Sequence, residues 1–239
     1  MRLIEYSICN NNHIVCLSTY KYILLINSNE VTTMPEDRRV RKTKTAIKNA
    51  FIQLLEEKDL EKITIQNITQ LADVNRGTFY LHYEDKYILL SDMEDEYTLA
   101  LSSAVDFDKV IMQNDDLEAF AKYFTEDILK KVVTYLYDHI DFYKVIFSLE
   151  RKSQIENKIS DIMLNNMKKN VSNNNTIADI PLDYFHSYTA GAMISFIKHW
   201  VQDEDRMNPE TVVDYLFKII FNGPLRLMAN EHQPTDFTN

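Results

Sequence analysis

The stretch VNRGTFYLHYEDK, Val74 to Lys86, decides how this chain is read. It holds Gly77, one of only three glycines in the chain. On a helical wheel at about 100° per residue, counted from Arg76, Phe79 and Tyr83 fall together on one side. Gly77 and Leu81 fall on the opposite side, flanked by Thr78 and Tyr80. The glycine therefore sits in the middle of the outward face of a short helix. Glycine inside a helix costs about 0.5–1 kcal/mol relative to alanine. An exposed position gains nothing from that cost unless something must come close to the backbone. The DNA major groove admits a helix, and a missing side chain lets that helix sit deep.

The flanking sequence supports this. Asn75 is placed to cap the short helix, with Val74 before it and Phe79 at the fourth helical position as a hydrophobic staple. The device occurs once before. Thr64 is placed as a cap, with Ile63 and Ile68 as its staple. Two short capped helices separated by a turn around Asp73 and Val74 predict a helix-turn-helix over 64–83. Upstream, Ile47, Ala50, Phe51, Leu54 and Leu55 follow the i, i+3, i+4, i+7 stripe of an amphipathic helix. Downstream, Leu89, Leu90, Met93, Tyr97 and Leu101 give the inner stripe of a longer one.

The polar groups of the motif then take roles. Arg76 suits a guanine edge, Asn75 and Thr78 reach bases or phosphate, and Leu81 suits a thymine methyl. Tyr80 and His82 suit phosphate oxygens, which fix register without reading sequence. Lys86 falls in the first turn of the next helix, where the dipole disfavours a cation; a phosphate bound there would turn that cost into a gain. The net charge of −10 argues against a polyanion partner until its distribution is considered. Arg38, Arg39, Arg41, Lys42, Lys44 and Lys48 lie in one run without an acid. Ten basic and seven acidic residues lie between Arg38 and Lys86, against sixteen and twenty-nine elsewhere. A basic arm on an acidic body suits a protein that touches a polyanion with one end only.

The segment from Thr64 to Tyr83, with Lys86, resembles the helix-turn-helix of the TetR/AcrR transcriptional regulators, whose pattern V-x-x-G-T-F-Y-x-H-[FY]-x-x-K it matches in full. The resemblance implies an all-α protein with a DNA-binding domain over 41–101 and a helical effector-binding and dimerisation domain over 102–230. It implies a homodimer on double-stranded, palindromic DNA, released by a small-molecule effector of unknown identity. The expected DNA-contact set is Arg41, Lys42, Lys44, Thr64, Gln66, Asn75, Arg76, Gly77, Thr78, Tyr80, His82 and Lys86. Within it, Tyr80, His82 and Lys86 are the phosphate holders that the motif implies. The segment YFHSYTAGAMISFIKHWVQDEDRMNPETV, Tyr184 to Val212, resembles the subgroup related to dihydroxyacetone kinase regulators. A co-activator that works through protein contacts of the C-terminal domain is the alternative to a repressor.

The remaining sequence is read from composition and period. Three glycines and five prolines are too few for sheets joined by tight turns. Cys9 and Cys16 alone do not make a disulfide framework or a cysteine zinc site. No run approaches about 20 apolar residues, so no membrane span is expected, and the protein is expected in the cytoplasm. Residues 1–33 differ in composition from the rest and lack a continuous signal-peptide stretch. They are expected to be an upstream extension or a weakly ordered tail, with a start near Met34; an extra strand or helix is the alternative.

Helical periods run over 117–139, 141–148, 150–170, 182–202 and 209–228, with Asn208 and Pro209 as cap and first residue of the last. The C-terminal EHQPTDFTN is expected to fray. Tyr123, Tyr135, His139, Phe142 and Phe147 are expected to line an effector pocket. Tyr188, Gly191, Ala192, Ile194, Ile197 and Trp200 are expected to form the dimer face, where small residues admit a neighbouring helix. No carboxylate pair, nucleophile–base set, phosphate-cradling loop or metal-ligand spacing appears. Neither enzymatic activity nor a cofactor or metal is expected.

Overall fold

A computed structural model of the chain describes residues 38–105, 117–149, 152–169 and 175–231. The expectations for residues 1–33 and for the last eight residues lie outside the described ones. The chain divides into two units, Met1–Arg41 and Lys42–Asn239; the second is described below.

Helix α1 (Arg38–Glu57) buries Ile47, Ala50, Phe51, Leu54 and Leu55, the stripe read from its period. A 3-10 turn (Leu60–Lys62) leads into α2 (Ile65–Leu71), and α3 (Arg76–Tyr80) and α4 (Lys86–Ser103) follow. The body contains α5 (Leu117–Tyr123), α6 (Lys130–Asp138), α7 (Ile140–Ser148), α8 (Ile155–Lys168), α9 (Leu182–Gln202), α10 (Pro209–Asn222) and α11 (Pro224–Glu231). The expected all-α class holds. Among the described residues the strands are β1 (Thr176–Ile177) and β2 (Ile180–Pro181), a two-residue antiparallel ribbon. Its turn residues Ala178 and Asp179 both have positive φ, 49° and 64°.

The body departs from its sequence reading in several places, and α8 begins at Ile155 rather than near residue 150. The helix expected over 117–139 is interrupted by a π-helical segment, Phe124–Leu129. Within it Thr125 Oγ1 donates to the Ala121 carbonyl at 2.7 Å, a back-bond of the kind that bends helices. The helix expected over 209–228 ends at Asn222. Gly223 follows with φ 74°, and Pro224 disfavours helical backbone in the residue before it. Asn208 caps α10 as read, its Oδ1 accepting from Thr211 N.

One hydrophobic cluster runs from Ile47 and Phe51 through Phe79, Tyr83 and Met93 to Phe142, Trp200 and Leu216. Burial on this scale is the main favourable term in folding, at about 25 cal/mol per Å2 of apolar surface. A second, smaller cluster around Val105 and Ile128 holds Phe120, Tyr123 and Phe124.

Candidate nucleic-acid interface

Local capping chemistry builds the helix-turn-helix. Thr64 Oγ1 accepts from Asn67 N at 3.1 Å, and Asn67 Oδ1 accepts from Thr64 N at 3.1 Å, a reciprocal capping box. The Thr64 hydroxyl also donates to Asn67 Oδ1. Asn75 Oδ1 accepts from Gly77 N at 2.8 Å and starts α3. Between them Asp73 takes φ 52°, a left-handed residue that lets the chain reverse within the turn. Phe79 and Tyr83 are buried and dock α3 on the core.

What α3 leaves outward is the face predicted from the wheel. Leu81 is 81% exposed and Tyr80 is 48% exposed, while Arg76, Gly77 and Asn75 are also exposed. Thr78 and His82 are half-buried. Arg76 lies over the Tyr80 ring, 5.6 Å from its centroid, and donates to the Tyr80 hydroxyl at 3.2 Å. The two side chains are therefore held together on one edge of the helix. A Cβ added at Gly77 would meet only Asn75 Oδ1, at 3.4 Å. Neither sterics nor backbone conformation demands glycine there.

Gln66 is exposed on α2. On α1, Arg41 and Lys42 are exposed and Lys44 is half-buried. Lys48, by contrast, is turned inward and bridges to α4 through Asp92 at 2.9 Å and through Glu96. Burial opposes its charge, but the hydrogen bonds and charges of Glu96 and Asp92 outweigh that and raise its pKa.

Lys86 is engaged within the subunit. Its ammonium donates to the carbonyls of Leu60 at 2.7 Å, Glu61 at 3.0 Å and Ile63 at 2.9 Å. Two first-turn amides of α4, where the sequence reading places a phosphate, are taken by a side chain. Asp85 Oδ1 accepts from Tyr87 N and Ile88 N, each at 2.8 Å.

The residues expected to line an effector pocket separate into two groups. Tyr135, His139, Phe142 and Phe147 gather with Tyr143 and with Tyr97 of α4. Tyr97 stacks on Phe142, with centroids 3.7 Å apart, and its carbonyl accepts from the Tyr135 hydroxyl at 3.3 Å. Tyr123 packs in the smaller cluster instead. Burial pushes the Tyr143 phenol well above its ordinary range and that of Tyr135 up to about 12. The Tyr143 hydroxyl is buried without a hydrogen-bond partner among the described residues. Elsewhere a cavity of about 480 Å3 opens between the α5–α6 segment and α10, lined among others by Thr125, Thr134, Pro209 and Phe217.

The expected dimer face also separates. On α9, Tyr188 is 68% exposed, Gly191 and Ala192 are exposed, and Ile194 is half-buried. Ile197 and Trp200 are core residues. Trp200 is 1% exposed, and its Nε1 donates to the Met207 carbonyl at 2.9 Å. Tyr184, 71% exposed, belongs to the outward stripe and was not singled out from sequence; its i−4 spacing from Tyr188 was the available signal.

Residues 124–222 match the family model TetR_C_8, a transcriptional regulator C-terminal region. This C-terminal region is similar to those of TetR-family transcriptional regulators. The curated proteins include a similar one, the uncharacterized HTH-type transcriptional regulator YxbF of Bacillus subtilis (strain 168), 22% identical over 195 residues. That match takes in 78% of this chain but 46% of YxbF, so the chain spans about half the length of the curated relative.

A TetR regulator from Streptococcus agalactiae 2603V is 27% identical, covering 77% of this chain and 96% of its own, with a TM-score of 0.48. A TetR-family structure from Syntrophomonas wolfei covers 82% of the chain and 99% of its own at 14% identity, with a TM-score of 0.59, a likeness of fold. Among the described residues, no helix is long and apolar enough to cross a membrane. Among the same residues, no group of three or more His, Cys, Asp or Glu is placed to hold a metal ion.

Proposed function

We propose that this chain is a DNA-binding repressor that acts as a homodimer on a palindromic operator and is released by a small-molecule effector. One observation carries the reading. The outward face of α3 presents Arg76, Thr78 and Tyr80 around a glycine that the subunit itself does not require. An approaching surface explains the missing side chain, and the major groove is a surface that accepts a helix. Arg76 suits a guanine edge. Tyr80 and His82 suit phosphates, with Lys42, Lys44 and Gln66 as further candidates. Asn75 and Thr64 contribute as caps that hold the reader in place.

A single five-residue helix buries too little surface to discriminate an operator from bulk DNA, so two copies on two half-sites suit the task. The exposed stripe Tyr184, Tyr188, Gly191 and Ala192 on α9 supports the pairing. The aromatic group around Tyr143 supports an effector site because it includes Tyr97, which belongs to α4, the helix that continues into the reader. A ligand that moves Tyr97 would move α4 with it.

The test is selection of bound DNA from a random pool by the full chain at moderate salt. The expected product is a pair of inverted half-sites at a fixed spacing. Recovery of unenriched sequence would count against the reading.

A further inference from the structure

Within the proposed DNA-binding reading, we infer that Lys86 is a positioning residue for the reader and not a phosphate ligand. An ammonium has three protons. Here the three carbonyls of Leu60, Glu61 and Ile63, at 2.7, 3.0 and 2.9 Å, accept all of them. These acceptors lie on the turn between α1 and α2, twenty-three to twenty-six residues before the lysine. Leu60 and Ile63 are each 1% exposed, so their side chains fix the same turn into the core from below. Ile63 directly precedes Thr64, the cap of α2. The grip of Lys86 therefore falls on the peptide that delivers Thr64 to its capping position.

The surroundings complete the clamp. The Tyr87 hydroxyl donates to Glu61 Oε2 at 2.7 Å, and the Tyr87 ring lies 5.3 Å from the ammonium. The start of α4 thus holds the turn through both Lys86 and Tyr87. The same geometry disfavours a phosphate at this helix end. Asp85 already supplies an anion to the first-turn amides, and its carboxylate repels a second one. The cost of a cation in the first turn of α4 is offset by carbonyl oxygens inside the subunit.

Lys86→Arg separates the two roles. A guanidinium binds phosphate at least as well as an ammonium, but its planar fork does not converge on three carbonyls of one turn. A positioning role predicts that Lys86→Arg binds the selected operator at least tenfold more weakly while its affinity for random duplex is unchanged. Lys86→Met, which removes the charge, completes the test through salt dependence. A phosphate contact is worth about 0.9 in the slope of log K against log salt. The positioning role predicts an unchanged slope, with loss confined to the specific complex.

A DNA-free readout stands beside these. Amide exchange at Asn67, whose N–H caps on Thr64 Oγ1, is expected to accelerate at least tenfold in Lys86→Arg. The inference is overturned by wild-type operator affinity in Lys86→Arg, by a slope reduced by about 0.9 in Lys86→Met, or by unchanged exchange at Asn67. Failure of the wild-type chain to select any DNA would defeat the DNA-binding reading alone, because the exchange measurement does not depend on it.

Discussion

Glu94 Oε1 accepts a hydrogen bond from the backbone nitrogen of Gln154 at 3.0 Å, joining α4 to the N-terminus of α8 across sixty residues of sequence. The same oxygen accepts from Ser153 Oγ at 2.7 Å, and Oε2 lies 3.3 Å from Lys158 Nζ. Glu94 is 2% exposed, so α4 carries a buried charge that caps a helix of the body. Removing the carboxylate leaves the Ser153 hydroxyl and the Gln154 amide without their acceptor and Lys158 with one partner fewer, at a cost of about 3 kcal/mol or more. Glu94→Ala is expected to lower the midpoint of thermal unfolding by about 6 °C or more, at about 2–4 °C per kcal/mol for a chain of this size. Differential scanning calorimetry checks it. An unchanged midpoint would mean that Lys158, also paired with Asp95 at 2.7 Å, has no need of Glu94.

Stability and DNA affinity are expected to separate at Gly77. A methyl group there meets only Asn75 Oδ1 at 3.4 Å, an ordinary contact, and φ at this position is not positive. Gly77→Ala gains helix propensity of about 0.5–1 kcal/mol, so its unfolding midpoint should equal or exceed that of the wild type. Its operator affinity should fall about tenfold or more, and that of Gly77→Leu further, because each added atom holds α3 away from the groove floor. Circular dichroism and fluorescence anisotropy on the selected operator read the two quantities. Wild-type affinity in a folded Gly77→Leu would remove the reason given for the glycine.

The buried tyrosines predict a limit at high pH. Burial holds the Tyr143 phenol, and to a lesser degree those of Tyr135 and Tyr97, in the neutral form above the ordinary value. In the unfolded chain the same groups ionise near pH 10, about their unperturbed value. Below that pH both states keep the proton and stability is unaffected. Above it the unfolded state binds fewer protons, so stability falls as pH rises, progressively toward the folded value of about 12 for Tyr135. A titration of tyrosinate absorbance with helical ellipticity followed in parallel should show these phenols ionising only as the helices melt. Smooth ionisation near pH 10 with ellipticity intact would contradict the burial.

The parts of this molecule set by neighbours in sequence were legible in it. The caps at Thr64, Asn75 and Asn208 and the inward pair Phe79 and Tyr83 follow from spacings of two to four residues. The structure places them as those spacings require. What was not legible depends on partners far along the chain. Lys86 carries no local sign that Leu60 and Ile63 accept its protons. Glu94 reads as one more charge on an acidic helix until α8 is brought beside it. The wheel of α9 shows an apolar face but not which element covers it, so Trp200 and Tyr188 were grouped although one is buried and the other exposed.

That division of α9 gives the last prediction. Trp200 is enclosed, bonded to the Met207 carbonyl and stacked on Tyr137 with centroids 6.4 Å apart. Trp200→Phe loses the hydrogen bond and part of a filled site, at a cost of about 2 kcal/mol. The expected outcome is a lower unfolding midpoint with an unchanged assembly mass. In the proposed homodimer Tyr188, exposed beside Gly191 and Ala192, would meet a second copy across a two-fold axis, where each substitution acts twice. Tyr188→Glu sets two carboxylates near that axis and is expected to convert the assembly to monomers without loss of helical signal. Sedimentation equilibrium distinguishes the two variants. A lighter particle for Trp200→Phe together with wild-type mass for Tyr188→Glu would place the subunit interface away from the outward stripe of α9.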